Sequence, residues 1–197
     1  MNRQADNEYW QLIWEKFKAG ERFAFETIYN EFVDVLFAYG SKITSDRPLL
    51  EDSIQDLFID VYAFGNSLHK PESLEYYLFK TLKRIIIRKL KDQNKIGHSE
   101  TTLEHFDLKF PLEDYDNSKA ILEGQLALLQ KELQNLDADK RELIFLKFNS
   151  GLTYTEIGNL LHLKPDTVKK QIYRLLQYMR GKLGETFMEL FLMCFKA

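Results

Sequence analysis

Two short apolar stripes, joined by a tight turn within residues 153–175, constrain the fold of this chain more than any other feature. Thr153 and Glu156 match the T-x-x-E capping box, in which each side chain binds the other residue's backbone N–H and fixes where a helix begins. Pro165 suits the first turn of a second helix, because its φ is close to the helical value and it has no N–H to leave unpaired. The pattern predicts a helix-turn-helix, a motif that places its second helix in the major groove of DNA.

The predicted turn contains His162 at a position where glycine is the usual residue. A sharp turn between packed helices often needs a positive φ, which glycine adopts freely and most side chains resist. Histidine is among the non-glycine residues that tolerate positive φ best, at a cost of about 1 kcal/mol. His162 is therefore compatible with the motif.

The second helix of the motif has two distinct faces. Its apolar residues recur at helical spacing and predict a buried stripe of Val168, Ile172, Leu175 and Met179. Opposite them are side chains that can contact phosphates and base edges: Asp166, Lys170, Tyr173, Arg174 and Gln177. An ordinary helix pair with a solvated basic face would show the same pattern, so this segment alone leaves DNA binding open.

The rest of the chain also favours helices, since 9 Gly and 4 Pro leave little room for the turns of a β-sandwich. Residues 49–64 predict an amphipathic helix whose outer stripe, Asp52, Gln55, Asp56 and Asp60, is acidic. Residues 73–91 predict a basic helix, with six Lys or Arg and no acid from Lys80 to Lys91.

The net charge of -3 argues against indiscriminate coating of nucleic acid. The segregation of charge instead suggests an acidic surface for a protein partner and basic surfaces for phosphates.

The pattern divides the chain into two helical domains. Periodicity fades over residues 93–119, where polar and acidic residues accumulate, and this predicts a flexible linker. We therefore predict an all-α chain with domains at 1–92 and 120–183 and an apolar tail at 184–197. The tail is too short to cross a bilayer, which needs about twenty residues. We expect it to pack as a helix; docking on a partner or covering the protein's own DNA face is the alternative.

Other classes of function find little support in the sequence. The single cysteine, Cys194, cannot form an internal disulfide and is consistent with a reducing cytoplasm. No signal peptide or membrane insertion is predicted, because the N-terminus has no uninterrupted apolar core. No phosphate-binding loop or catalytic layout is evident, so neither enzymatic activity nor a cofactor is predicted. The steps of four between Asp52, Asp56 and Asp60 would fit a helical metal-dependent enzyme, but no second acidic cluster accompanies them and no metal site is predicted.

Two parts of the chain resemble bacterial RNA polymerase sigma factors of the sigma-70 family. The helices "EDSIQDLFIDVY" and "LEYYLFKTLKRIIIRKLK" resemble region 2, and the pattern D-x-x-Q-[DE]-x-F is met by Asp52, Gln55, Asp56 and Phe58. The helix-turn-helix resembles region 4, where E-I-[GA]-x-x-L…T-V-K is met by Glu156, Ile157, Gly158, Leu161, Thr167, Val168 and Lys169. The order of these parts, the linker and the absence of region 3 point to the extracytoplasmic-function group. The resemblance covers about residues 20–183.

The resemblance implies a transcription initiation factor with two helical domains, a region 2 bundle and a region 4 helix-turn-helix. It would act in the cytoplasm with core RNA polymerase, through the β′ clamp helices and the β flap, with promoter DNA and with an anti-sigma factor. The residues implied for core polymerase binding are Asp52, Gln55, Asp56 and Phe58. Those implied for the minus-10 element are Tyr76, Tyr77, Lys80, Lys83, Arg84, Arg88 and Lys91. Those implied for the minus-35 element are Asp166, Thr167, Lys169, Lys170, Tyr173, Arg174 and Gln177.

The chain departs from the family pattern at four of its motif positions, of which one is His162 in place of the usual glycine. Tyr77 replaces the tryptophan and Arg84 the asparagine of the family segment "WLYRIARN", although Arg84 still suits a phosphate. Lys164 stands where an N-capping serine is common, which costs the second helix a cap worth about 1 kcal/mol. The alternative function is a dimeric helix-turn-helix regulator that acts without polymerase. Such a regulator would need neither the acidic nor the basic helix upstream.

Overall fold

The structure is a computed structural model that describes residues 3–64, 73–94, 106–108, 120–184, 187 and 191. Within these residues every regular element is an α-helix, and none of the helices is long and apolar enough to cross a membrane. The chain forms two compact units, residues 1–99 and residues 100–197. The prediction of an all-α fold with two helical domains is confirmed. The exact limits of the four predicted segments stay predictions, and most of the linker lies outside the described residues.

The described part of the N-terminal unit contains four helices: α1 (Arg3–Lys18), α2 (Arg22–Ile43), α3 (Arg47–Phe64) and α4 (Leu74–Asn94). The chain reverses between α1 and α2 at Gly20, whose φ is 86°. Each helix buries an apolar stripe that recurs every three or four residues. In α2 the stripe consists of Ala24, Ile28, Phe32, Leu36, Tyr39 and Ile43. The aromatic side chains of Trp14 and Phe79 complete the core between the helices.

The start of α3 is fixed in a way that turns its acidic side outward. Asp46 precedes the helix, and its Oδ1 accepts a hydrogen bond from the backbone N–H of Leu49 at 3.0 Å. Gly40 lets α3 lie close to α2, because a Cβ at this position would overlap the side chain of Leu50. The residues that α3 buries are Leu49, Leu50, Ser53, Ile54, Leu57, Phe58 and Val61. The opposite side of the helix therefore faces solvent.

The C-terminal unit contains, between residues 120 and 184, four further helices: α5 (Ala120–Gln134), α6 (Ala138–Phe148), α7 (Tyr154–Leu161) and α8 (Pro165–Leu183). α8 packs against the other three. Its buried stripe contains all four of the predicted residues and also Leu183: Val168, Ile172, Leu175, Met179 and Leu183. Since this side of α8 is held in the core, its polar side remains accessible.

Two segments outside these helices contribute to the core of the C-terminal unit. Phe106 and Leu108, inside the predicted linker, are both buried. Phe187 and Phe191, inside the predicted tail, are also buried, and the Phe191 ring lies edge-on to Phe148 at 4.8 Å between centroids. The described part of the tail packs as expected. The linker prediction missed the first pair, because an isolated phenylalanine and leucine two residues apart carry no helical periodicity.

Candidate nucleic-acid interface

The helix-turn-helix begins at a complete capping box. The backbone N–H of Thr153 donates to Glu156 Oε2 at 2.6 Å, and the backbone N–H of Glu156 donates to Thr153 Oγ1 at 3.2 Å. These two bonds satisfy donors that the first turn of a helix would otherwise leave unpaired. The predicted start of the first helix is confirmed, since α7 begins at Tyr154.

The turn between α7 and α8 is built on His162 and Gly158. His162 has φ 56° and ψ 38°, and it is the sole non-glycine residue with positive φ among the described residues. A Cβ on Gly158 would lie 2.5 Å from the carbonyl oxygen of Leu163. The backbone N–H of Leu163 donates a hydrogen bond to the carbonyl of Gly158 at 2.8 Å. The turn is thus in direct contact with the backbone of α7. This contact fixes the direction in which α8 leaves the turn.

α8 begins without a side-chain cap, as the sequence predicts. Lys164 occupies the N-cap position in an extended conformation, and its side chain makes no capping hydrogen bond. The backbone N–H groups of Thr167 and Val168 instead donate to the Lys164 carbonyl at 2.9 and 3.1 Å. Pro165 follows as the first helical residue and has no N–H to leave unpaired.

The outer side of α8 collects the residues predicted for the minus-35 element. Thr167 is half-buried and the others are exposed: Asp166, Lys169, Lys170, Tyr173, Arg174 and Gln177. Three of the exposed side chains are cations and one is a carboxylate, so this face carries net positive charge. Gln177 Nε2 donates to Tyr173 Oη at 2.9 Å, which orders two of the polar groups. A face of this composition can approach the anionic backbone of DNA and still present donors to base edges.

A hydrogen bond between α5 and α8 helps to hold this face in place. Tyr178 Oη donates to Glu132 Oε2 at 2.8 Å. The bond to the Glu132 carboxylate raises the pKa of the Tyr178 phenol. The phenol therefore keeps its proton, and remains a donor, throughout the neutral range.

In the N-terminal unit, α3 exposes two of the four residues predicted to bind core polymerase. Asp52 and Gln55 are exposed, whereas Asp56 is half-buried and its Oδ2 lies 2.7 Å from Lys89 Nζ on α4. Phe58 is only 4% exposed, and its ring lies 4.7 Å from that of Tyr29. Phe58 belongs to the buried stripe of α3 and also lines a groove between α2 and α3, and its role in core polymerase binding stays a prediction.

α4 presents a basic stripe to solvent. Lys80, Arg84, Arg88 and Lys91 are exposed and follow one another at helical spacing. Lys83 is only 7% exposed, because it lies one turn from Phe79 and Ile86 on the edge of the buried face, and its contact with the minus-10 element stays a prediction. Phosphate contact by Lys83 therefore requires its side chain to leave the position seen here.

The two tyrosines at the start of α4 differ in their surroundings. Both are half-buried, and Lys80 Nζ lies 5.4 Å above the ring centroid of Tyr76. The Tyr77 ring instead lies 6.3 Å from that of Trp14 in the core. Burial raises the pKa of the Tyr77 phenol, an effect that a hydrogen bond with Thr81 opposes. Tyr76 is thus the better placed of the two to meet an unpaired base.

Sequence reasoning missed an apolar groove beside the acidic stripe of α3. The groove encloses about 1120 Å³ between α2 and α3 and includes Phe25, Tyr29, Ile59 and Tyr62 in its lining. Ile59 and Tyr62 are 55% and 65% exposed. Both residues lie on the polar side of the predicted amphipathic helix, and this placement was the one signal of the groove in the sequence. Contiguous exposed apolar groups of this kind mark interaction surfaces.

Comparisons with known proteins identify relatives of both units. The family model "Sigma-70, region 4" matches residues 126–179. The ECF RNA polymerase sigma factor SigE of Mycolicibacterium smegmatis is 24% identical over 163 residues, which are 82% of this chain and 62% of that protein. The RNA polymerase sigma factor SigV of Bacillus subtilis is 25% identical over 154 residues, 78% of this chain and 85% of that protein. The chain thus spans less than two thirds of the length of the first relative but most of the second.

Two solved structures share the fold. CnrH, in complex with the cytosolic domain of CnrY, superposes with a TM-score of 0.55 at 17% identity and covers 91% of this chain and 97% of its own. The sigma factor RpoE from Bartonella quintana, in complex with the anti-sigma factor NepR, gives a TM-score of 0.51 at 20% identity, with 84% and 96% covered. At these identities the likeness shows the fold alone.

Proposed function

We propose that this chain directs core RNA polymerase to promoters. The premise is that it is a sigma factor of the sigma-70 family and of its extracytoplasmic-function group. In this function it recognises promoter DNA and starts transcription there. It does no covalent chemistry itself, and it works in the cytoplasm with polymerase. The same proposal accounts for the charge segregation between α3 and α4, which the alternative, a dimeric regulator acting without polymerase, does not need.

The observation that carries the proposal is the exposed basic face of α8 behind a fixed turn. α8 is held at one angle to α7 by the capping box, His162 and Gly158. The side chains on the outer face of α8 would therefore contact DNA in a fixed arrangement. Lys169, Lys170 and Arg174 would neutralise phosphates, while Gln177 and Tyr173 would meet base edges at the minus-35 element.

The N-terminal unit would supply the second DNA contact. The exposed cations of α4 recur along one side of the helix and would follow the phosphates of the minus-10 element. Tyr76, at the start of α4, would stack on a base once the strands separate, a contact worth roughly 1–3 kcal/mol. Two weak contacts on one chain act together, because the second becomes intramolecular when the first has formed.

Core polymerase would dock on the acidic side of α3. Asp52 and Gln55 are exposed there, and the apolar groove between α2 and α3 lies beside them. Charge complementarity with basic residues on the β′ clamp helices would speed the encounter and set the register, while the groove would bury apolar side chains. The C-terminal unit would in turn contact the β flap.

An anti-sigma factor is the proposed regulator. One of the structural neighbours is a sigma factor in complex with an anti-sigma factor. An anti-sigma factor that covers α3 would compete directly with polymerase, since both would need the same acidic side chains and the same groove.

Transcription with purified components tests the proposal. Core polymerase with and without the full-length protein is supplied with a library of genomic promoter fragments, and the transcript starts are sequenced. We expect new starts that share two short elements at a fixed separation. No initiation above core polymerase alone would overturn the proposal, and tight binding of a palindromic site by the protein alone, as a dimer, would support the alternative regulator.

A further inference from the structure

The first helix, α1, carries none of the residues predicted to contact polymerase or DNA, yet it packs against one of them. Trp14 of α1 is 1% exposed, and its ring lies 6.3 Å from the ring of Tyr77, with 62° between the two planes. Aromatic rings attract each other in such edge-on pairs at separations of about 4.5–7 Å. The core of the N-terminal unit is thus continuous with a residue predicted to bind the minus-10 element.

Hydrogen bonding does not account for an indole at position 14. The Nε1 of Trp14 is buried and has no hydrogen-bond partner among the residues that the structure describes. A buried donor without a partner costs free energy, and a phenylalanine at this position would avoid that cost. The benefit of the indole therefore lies in its ring contacts, which are with Phe17 at 5.3 Å and with Tyr77.

The hydroxyl end of Tyr77 is held as well. It forms a hydrogen bond with the side chain of Thr81, which lies one turn further along α4 and is 6% exposed. The Tyr77 side chain is therefore constrained at both of its ends, although it is only half-buried. A side chain that is ordered before DNA arrives loses little conformational freedom on binding, whereas ordering a free side chain weakens binding by about two- to tenfold.

Tyr77 also lies at one end of the basic stripe on α4. Arg84 and Arg88 follow Tyr77 at about two and three helical turns, so all three side chains lie on the same side of the helix. Tyr76 projects about 100° away from Tyr77, on the side where it contacts Lys80. A DNA strand whose phosphates follow the arginines toward the start of α4 would therefore reach the Tyr77 ring, beside Tyr76.

We propose that Trp14 is a positioning residue for promoter opening, which fixes the Tyr77 ring at the end of the basic stripe of α4. The inference rests on the proposed function. The fixed ring gives the opened strand one surface to lie against and directs it toward Tyr76, which takes the unpaired base. Without the indole, the Tyr77 ring would be free to turn and would have to be ordered each time a promoter opens. Opening would then become less favourable by about two- to tenfold, while the closed duplex, which does not reach Tyr77, would still bind.

Two fluorescence measurements on holoenzyme containing the full-length protein test the proposal. Anisotropy of a labelled promoter reports duplex binding at a low temperature at which the strands stay paired, and a fluorescent base analogue in the minus-10 element reports opening on warming. Trp14→Leu should lower opening by about two- to tenfold and leave duplex binding within about twofold of wild type. Trp14→Phe keeps an aromatic ring beside Tyr77 and should restore most of the lost opening. A decrease of both signals by the same factor would show a role in folding alone and overturn the proposal.

Phe32→Leu is the matched control, because it also removes a buried ring from the packing of α1, one that lies 4.8 Å from Trp10. It should destabilise the N-terminal unit without lowering opening. In a Tyr77→Leu background, Trp14→Leu should lower opening no further, since the ring that Trp14 positions is gone. An undiminished loss in that background, or an equal loss in Phe32→Leu, would contradict the proposal. If the wild-type protein opens no promoter, the proposed function fails, whereas normal opening by Trp14→Leu defeats the role of Trp14 alone.

Discussion

Replacing Lys170 and Arg174 together by alanine should flatten the salt dependence of promoter binding. Both side chains are exposed on the outer face of α8, and each is expected to hold one phosphate. Each phosphate contact on duplex DNA contributes about 0.9 to the slope of log affinity against log salt concentration. Losing two contacts should therefore reduce the slope by about 1.8. Between 50 and 200 mM salt, the wild-type complex should lose about 12-fold more affinity than the variant does.

The measurement is fluorescence anisotropy of a labelled promoter duplex, titrated with polymerase holoenzyme at several salt concentrations. Lys140→Ala is the matched control, because this lysine lies on α6 and pairs with Asp137 at 2.6 Å. It should leave the slope unchanged. Gln177→Ala should weaken binding by a similar factor at every salt concentration, since it removes a neutral contact. A double variant with the wild-type slope would place Lys170 and Arg174 off the DNA and refute the assignment of this face.

Four further outcomes are expected. The charge swap Asp56→Lys with Lys89→Asp should keep the ion pair between α3 and α4 but weaken co-purification with core polymerase; normal co-purification would assign Asp56 to stability alone. His162→Val should lower the free energy of unfolding by about 1–2 kcal/mol relative to His162→Gly, because a β-branched residue resists positive φ; equal urea midpoints would contradict this. Phe191→Ala should destabilise the C-terminal unit by about 3–5 kcal/mol in thermal unfolding, whereas a loss under about 1 kcal/mol would take the ring out of the core. The hydrogen bond to Glu132 raises the pKa of Tyr178, so this bond contributes its full stabilisation of the fold below the ordinary tyrosine pKa of about 10. The stabilisation is lost as the pH rises through the pKa that Tyr178 has in the folded state. The stability gap between wild type and Tyr178→Phe should thus be constant from about pH 6 to 9 and shrink above that range; a gap that changes near neutral pH would implicate another group.

The helix-turn-helix was predictable in detail because its signals are local. Capping by Thr153 and Glu156, the proline at the start of α8 and the tolerance of histidine for positive φ each depend on a few neighbouring residues. The amphipathic stripes were predictable for the same reason, since helical periodicity depends on residues three or four positions apart in the sequence. The resemblance to the sigma-70 family, which the comparisons confirm, followed from these local patterns in their order along the chain.

Features that depend on contacts between distant residues were missed. Phe58 meets the family pattern but packs inside, and Lys83 lies in a basic run but on the edge of a buried face. In both cases the sequence specifies the residue type, whereas the packing of neighbouring helices decides its exposure. Phe106 and Leu108 were missed because their partners lie 22 or more residues away along the chain.

Burial of Phe187 and Phe191 in the C-terminal unit has a consequence for how the chain folds as it is synthesised. Domains generally fold as units, the N-terminal one first, at a synthesis rate of about 5–20 residues per second. The N-terminal unit is complete by residue 99, but the C-terminal core lacks the buried ring of Phe191 until residue 191 has been added. The interval is roughly 5–20 s. During it, the nascent chain carries a complete N-terminal unit and an incomplete C-terminal core. Under the proposed function, the surface for core polymerase on α3 would therefore form before the minus-35 face of α8 is fully supported.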